Sequence, residues 1–266
     1  MQRLKSLVPL TIKIKAHSLA NNISSVVRDI SFWPNRISHQ LRGTPVPSGY
    51  LIYLISQHRN PDIYVRSGEV SAQQIRDLLK RNGVELEHLN AILDFGCGVG
   101  RVVRHWKTLR GPEVYGTDYN PVLIDWCRKH LSFAHFQCNT LAAKLDYEGE
   151  KFDLIYGLSV FTHLPENLAD AWLKELHRVL KPGGYAYLTT HGAHYFASRT
   201  PEEQARLARG ELVVVASDSA GSNACATFHP ESYVREHWTR WFKVVDFRPG
   251  HVGIASEQDV WLLQKA

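Results

Sequence analysis

Ten residues, Ile92-Leu-Asp-Phe-Gly-Cys-Gly-Val-Gly-Arg101, restrict this chain more than any other stretch. The apolar residues up to Phe95 read as a strand, and a helix is predicted just after, over about 100–109. Between them, glycines at 96, 98 and 100 permit a tight turn and let a ligand come close to the backbone. A dinucleotide fingerprint needs its third glycine at position 101, where this chain has Arg101, and the Gly-Lys-Ser/Thr of a P-loop is absent. The loop therefore suits a nucleotide-like ligand that brings no pyrophosphate. A nicotinamide-linked oxidoreductase is correspondingly disfavoured, and a turn that serves only packing is the bland alternative.

The same pattern continues downstream. Ala91–Phe95, Val114–Asp118, Ala134–Cys138, Phe152–Leu158 and Tyr185–Thr190 read as strands. Helix-like stretches at about 121–131 and 166–180 separate the later ones, with Asn120 and Pro121 placed as N-cap and first-turn proline. Strands alternating with helices imply a parallel sheet covered on both faces. Phe242–Phe247 and Val260–Gln264 have only a loop between them and predict an antiparallel hairpin at one sheet edge.

Upstream of the sheet, residues 1–47 read as a helical extension and linker, and residues 48–266 as the main domain. Leu19, Ile23, Val26, Val27, Ile30 and Trp33 recur at helical spacing; Trp33-Pro34-Asn35 is expected to end that helix, and Gly43–Gly49 reads as a connector. A further helix is expected to start at Ser71, with Gln74 completing a capping box, and to stop at Asn82-Gly83.

Charge follows the same division. The chain of 266 residues has a net charge of +5, but residues 1–42 hold seven basic residues and one acid, leaving the rest at −1. A body without excess positive charge offers no phosphate track, which argues against nucleic acid as partner. The basic, apolar front end could pack on the body, dimerise, or lie on an anionic membrane. No secretory h-region or membrane span is evident, and four scattered cysteines without C-x-x-C or zinc spacing suggest a reducing compartment. The expected location is cytoplasmic, with peripheral contact at the inner face of the membrane left open.

ILDFGCGVGR, then YGTD, FDLIYGLSVFTHLPE and LKELHRVLKPGGYAYLTTHG resemble the class I S-adenosylmethionine-dependent methyltransferases, most closely their small-molecule, type 11/12-like domains. The resemblance covers about residues 70–266. It implies a Rossmann-like, doubly wound α/β sheet of seven strands ordered 3-2-1-4-5-7-6, with strand 7 antiparallel. It also implies S-adenosylmethionine as cofactor, S-adenosylhomocysteine as product, and no metal. By the same resemblance Asp94, Phe95, Gly96, Cys97, Gly98 and Gly100 line the methionine part of the cofactor. Asp118, with Tyr119 beside it, holds the ribose; Asn139 and Leu141 lie by the adenine, and Ser159 and Phe161 by the tip of strand four. The residues alone already mark Asp118 as an acid at a strand tip, placed to accept from ribose hydroxyls. Asn139 departs from the family, which usually has an acid there.

Methyl transfer to a hydroxyl needs alignment and a route for one proton. His163 and His191 follow strands four and five, where the cleft is expected, so both are candidate catalytic groups, His163 first. A structural role in ordering its loop is the competing reading for His163. Ser217–His229 is small and polar, and is a candidate substrate loop or else a plain surface loop. The strand-four tip reads Gly157-Leu-Ser-Val-Phe-Thr162, not the Asn/Asp-Pro-Pro-aromatic signature of base-amino methylation. The expectation is methyl transfer to a small-molecule or glycan acceptor, the latter lipid-linked in one version, with oxygen as the acceptor atom. The alternative is a cofactor-binding scaffold or regulator without catalysis.

Overall fold

β1 (Ala91–Phe95) is buried along its whole length, and its alternation sends side chains into two separate layers. Ala91, Leu93 and Phe95 join one apolar cluster and Ile92 the other. A computed structural model describes residues 29–251 and 257–266 of the chain. In it β1 lies between β2 (Glu113–Asp118) and β4 (Phe152–Gly157), parallel to both, with Asp94 opposite Gly116 and Tyr156.

β3 (His135–Cys138), β5 (Leu180–Thr190), β8 (Lys243–Arg248) and β9 (Asp259–Gln264) complete a seven-stranded sheet in the order β3-β2-β1-β4-β5-β9-β8. β9 runs antiparallel to both β5 and β8. This is the expected doubly wound sheet with its terminal hairpin; the inserted strands β6 (Val213–Val215) and β7 (Ala226–Phe228) pair apart from it and shift the numbering by two.

Seven α-helices occur among the described residues. α1 (Trp33–Leu41), α2 (Gly49–Ser56) and α3 (Pro61–Arg81) precede the sheet. α4 (Pro121–His130) and α5 (Glu166–Val179) link its parallel strands, while α6 (Pro201–Ala208) and α7 (Glu231–His237) flank the small β6–β7 pair in sequence. Ile75 and Leu79 of α3 and Ile124 of α4 cover one sheet face; Trp172 of α5, Trp238 and Trp261 fill the other.

Three local expectations are corrected. The stretch 100–109 forms only a 3-10 turn, Val103–Trp106. Gly98 and Gly100 have φ of +55° and +73°, outside the helical region, and the Tyr64 hydroxyl of α3 takes the Val99 carbonyl at 2.7 Å. Gly68 of α3 also sits so close to the Arg101 carbonyl that a Cβ there would stand 2.0 Å from it. Trp33-Pro34-Asn35 begins a helix rather than ending one, because proline in a first turn gives up no helical hydrogen bond. α3 starts ten residues before Ser71: the Asn60 side chain accepts from the Asp62 and Ile63 amides, Pro61 follows, and the Ser71 hydroxyl merely donates back to Ser67. The stop at Asn82-Gly83 and the connector over 43–48 are as expected. The part of the extension at 1–28 lies outside the described residues.

Candidate functional site

The C-terminal ends of β1, β2 and β4 open into one cavity of about 620 Å³. Asp94 stands at the end of β1, buried among Tyr156, Arg101 and Asp118. Burial raises its carboxyl to about 7, with the Tyr156 hydrogen bond and the Arg101 charge pulling the other way. Asp118 ends β2; its two carboxylate oxygens accept from the Gly98 amide at 3.0 Å and the Asn120 amide at 2.8 Å. Burial lifts this carboxyl to about 6 against those two bonds.

The glycines are demanded first by the chain itself. A Cβ at Gly96 (φ +75°) would stand 2.4 Å from Val160 Cγ2, and one at Gly98 would stand 2.9 Å from Ile55 Cγ2. Val160 and Ile55 both line the cavity, so bare backbone at 96 and 98 lets two walls close on the loop between β1 and the 3-10 turn.

Of the residues singled out in the sequence, Asp94, Phe95, Gly96, Cys97, Gly98, Asp118, Tyr119, Asn139, Leu141, Ser159 and His163 line this cavity. Gly100 does not: it faces Leu131 and Val103, behind the loop. Phe161 is fully buried between Phe95 and Trp238. His191 is also away from the wall, stacked on Phe228 with its ring centroid 6.3 Å from that of His163. Its Nδ1 is buried without a partner among the described residues, and burial lowers its pKa to about 4. The Asn139 side-chain oxygen accepts from Thr117 Oγ1 at 2.7 Å, so the residue that departs from the family pattern already holds one local bond.

His163 has a defined tautomer. Its Nδ1 lies 2.7 Å from the Cys225 carbonyl, which can only accept, so Nδ1 carries the proton and Nε2 the lone pair. Burial lowers the His163 pKa, opposed by that same hydrogen bond. Cys225 ends the loop between β6 and β7, the stretch flagged as a substrate loop. The Gly221 amide of this loop donates to the His163 carbonyl at 2.8 Å, and Asn223 Nδ2 donates to the Leu54 carbonyl at 3.0 Å. Gly221, Ser222, Asn223 and Ala224 all line the cavity.

Two groups of wall residues were not anticipated. Tyr53, Leu54, Ile55 and Gln57, on and just after α2, close one side; the only local signal was an N-cap serine, Ser48, ahead of an apolar run. Arg101 is the sole Lys or Arg among the described lining residues, and it stands inside the glycine-loop run itself. It is anchored by Nη1, which donates to the Ser67 carbonyl at 2.9 Å and to Ser71 Oγ at 3.0 Å. No group of three His, Cys, Asp or Glu side chains that could hold a metal ion occurs among the described residues.

Residues 93–188, which run from β1 through β5, match the family model described as a methyltransferase domain. The chain carries a class I S-adenosylmethionine-dependent methyltransferase domain. Over 100 residues the chain is 34% identical to a malonyl-[acyl-carrier protein] O-methyltransferase of Salmonella typhimurium, 38% of each chain being covered. Over 145 residues it is 31% identical to the chloroplastic tocopherol O-methyltransferase of Arabidopsis thaliana, covering 49% of this chain and 41% of that one. The matches thus span about two fifths of the length of these curated relatives. In fold, the chain is similar to the Burkholderia thailandensis 1,6-didemethyltoxoflavin-N1-methyltransferase, solved with 1,6-didemethyltoxoflavin and S-adenosylhomocysteine bound. The TM-score is 0.53 at 18% identity, with 74% of this chain and 77% of that chain covered. The matched stretch therefore supplies most of the cavity's lining, while α2 and the β6–β7 loop, which close it, lie outside that stretch.

Proposed function

We propose that this chain transfers a methyl group from S-adenosylmethionine to the oxygen of a small-molecule or glycan acceptor. The observation that carries the reading is the convergence of Asp94, Asp118 and His163 on one cavity built around the glycine loop. Two relatives named as O-methyltransferases support oxygen as the acceptor atom.

The residues present fit the cofactor's chemistry. Two buried carboxylates held by backbone amides and by Arg101 suit a ligand with a cationic centre and a ribose. Each Asp118 oxygen keeps a second lone pair for a ribose hydroxyl, and the Arg101 guanidinium on the cavity wall suits an amino-acid carboxylate. Asn139 and Leu141 would flank the adenine. When bound, S-adenosylmethionine supplies an electrophilic methyl on a sulfonium. The chain's part is to align the acceptor and exclude water, tasks of α2 and the β6–β7 loop, and to take up one proton. His163 Nε2, unpartnered among the described residues and neutral at pH 7, would accept that proton from the attacking hydroxyl.

Calorimetry with S-adenosylmethionine and S-adenosylhomocysteine on wild type and Asp118→Ala tests the shared core of this reading. Binding by wild type and at least about tenfold weaker binding by the variant are expected. No binding by wild type would sink it. Incubating cell extracts with deuteromethyl-labelled cofactor and reading the mass shift then identifies the acceptor class.

A further inference from the structure

α1 is mounted inside out. Its polar arc faces the body: Asn35 Nδ2 and His39 Nε2 both bond the Asp62 carboxylate of α3, the latter at 2.9 Å, and Arg36 reaches the Pro47 carbonyl. The opposite arc is apolar and bare. Trp33, Ile37 and Leu41, with Ile30 in the 3-10 turn just before α1, recur at spacings of three and four, with exposures of 50%, 58%, 82% and 55%. A surface helix ordinarily buries that face and exposes the polar one. Here three polar side chains hold the helix so that it cannot roll over.

The charge of the region identifies the occupant. Residues 1–42 sum to +6, while the remainder of the chain sums to −1. We infer that this face docks on an anionic lipid surface, with Ile30, Trp33, Ile37 and Leu41 entering the boundary between headgroups and acyl chains and the net positive charge of residues 1–42 favouring an anionic surface over a neutral one. A second copy placed face to face would bring two +6 segments together, and a nucleic-acid backbone would leave four large apolar side chains unburied.

The docking face is tied to the cavity wall. Asp29, buried next to Ile30, accepts from the Gly49 amide at the start of α2 at 2.7 Å and pairs with Arg59 at 3.3 Å. The Arg59 guanidinium lies over the ring of Tyr53, an exposed α2 residue that lines the cavity. An acceptor that partitions into the bilayer would thus meet the cavity on the membrane-facing side. That consequence rests on the methyl-transfer reading; the docking itself does not.

The test is co-sedimentation of the full chain with phosphatidylcholine vesicles, with and without about 30% phosphatidylglycerol. Wild type should pellet with the anionic vesicles, less so at high salt. Ile37→Glu and Leu41→Glu, both at exposed positions, should each lower partitioning by about tenfold or more. Cofactor affinity, measured by calorimetry on the same samples, should stay within about twofold, so that lost pelleting is separated from lost fold or lost cofactor binding. Negligible pelleting of wild type, or equal pelleting of wild type and both variants, overturns the inference. So does light scattering that shows a wild-type dimer which the glutamates dissociate without any lipid binding.

Discussion

The Nδ1 of His163 donates a 2.7 Å hydrogen bond to the carbonyl of Cys225, joining the tip of the β4 turn to the end of the β6–β7 loop. One bond therefore sets both which ring nitrogen is basic and where the loop sits. A histidine that only ordered its own turn would have no need of a fixed tautomer facing a cavity.

If His163 takes the acceptor's proton, His163→Asn should lower kcat by about 10²- to 10⁴-fold and leave cofactor affinity within about twofold. The base works neutral, and burial lowers its pKa below the usual histidine value. The wild-type rate should then be flat around neutrality and fall on acidification, tenfold per pH unit once below the depressed pKa. An unchanged pH profile in His163→Asn would assign the residue a structural role instead.

Asp94 makes a second pH-dependent prediction. Its carboxyl is raised from 3.8 to about 7, chiefly by burial, so the folded chain favours the protonated form. The resulting stability is present at low pH and is lost as pH rises through about 7. A cationic ligand reverses the preference and expels the proton. Near pH 6.5, cofactor binding should release a fraction of a proton, read as a dependence of calorimetric enthalpy on buffer ionisation, and release should vanish near pH 8.5. Asp94→Asn should lose most of that release, the remainder coming from Asp118, whose own carboxyl is raised to about 6. Identical release in wild type and variant contradicts the assignment.

How far these features were legible in the sequence depended on the range of the interaction. The central strands of the main sheet could be read because burial on both faces writes an apolar run into them, as in Ala91–Phe95. The helix expected at 100–109 failed because its competitor is distant: Tyr64, 35 positions upstream, occupies the Val99 carbonyl. The wall supplied by Tyr53, Leu54 and Ile55 was hidden for the same reason, since nothing in their local pattern says that α2 folds back over the glycine loop. β6 and β7 have three residues each, too few for a period-two signal. Asp118 and His163 were found because they stand at and after the ends of strands whose place the topology fixes, and Asp94 through the family resemblance.

Gly96 offers a test of packing as distinct from chemistry. With φ at +75° and the Val160 methyl 2.4 Å from a modest Cβ, Gly96→Ala should destabilise the fold by about 1–3 kcal/mol in urea denaturation. The double variant Gly96→Ala/Val160→Ala should recover the steric part and keep the backbone part. Full recovery would mean that the left-handed conformation is not required, and a cost below about 0.5 kcal/mol for the single variant would mean that neither is.

Asn223 tests the loop. Its Nδ2 donates to the Leu54 carbonyl, linking the β6–β7 loop to α2 across the cavity, and the Gly221 amide adds a backbone link to the His163 carbonyl. Asn223→Ala removes the first link and leaves the second, so the loop should open on the α2 side while the His163–Cys225 bond survives. The acceptor KM should rise by about three- to tenfold with kcat within about threefold, and proteolysis within 217–225 should accelerate. Gly221→Val is the harsher change: at φ +78°, its Cβ would lie 2.4 Å from Leu141 Cδ2, so it disturbs the loop and the wall by Asn139 together. That variant should weaken cofactor binding as well as raise KM, whereas Asn223→Ala should leave cofactor binding alone. Equal effects of the two variants on cofactor affinity would show that the loop belongs to the cofactor site and is not a cover for the acceptor.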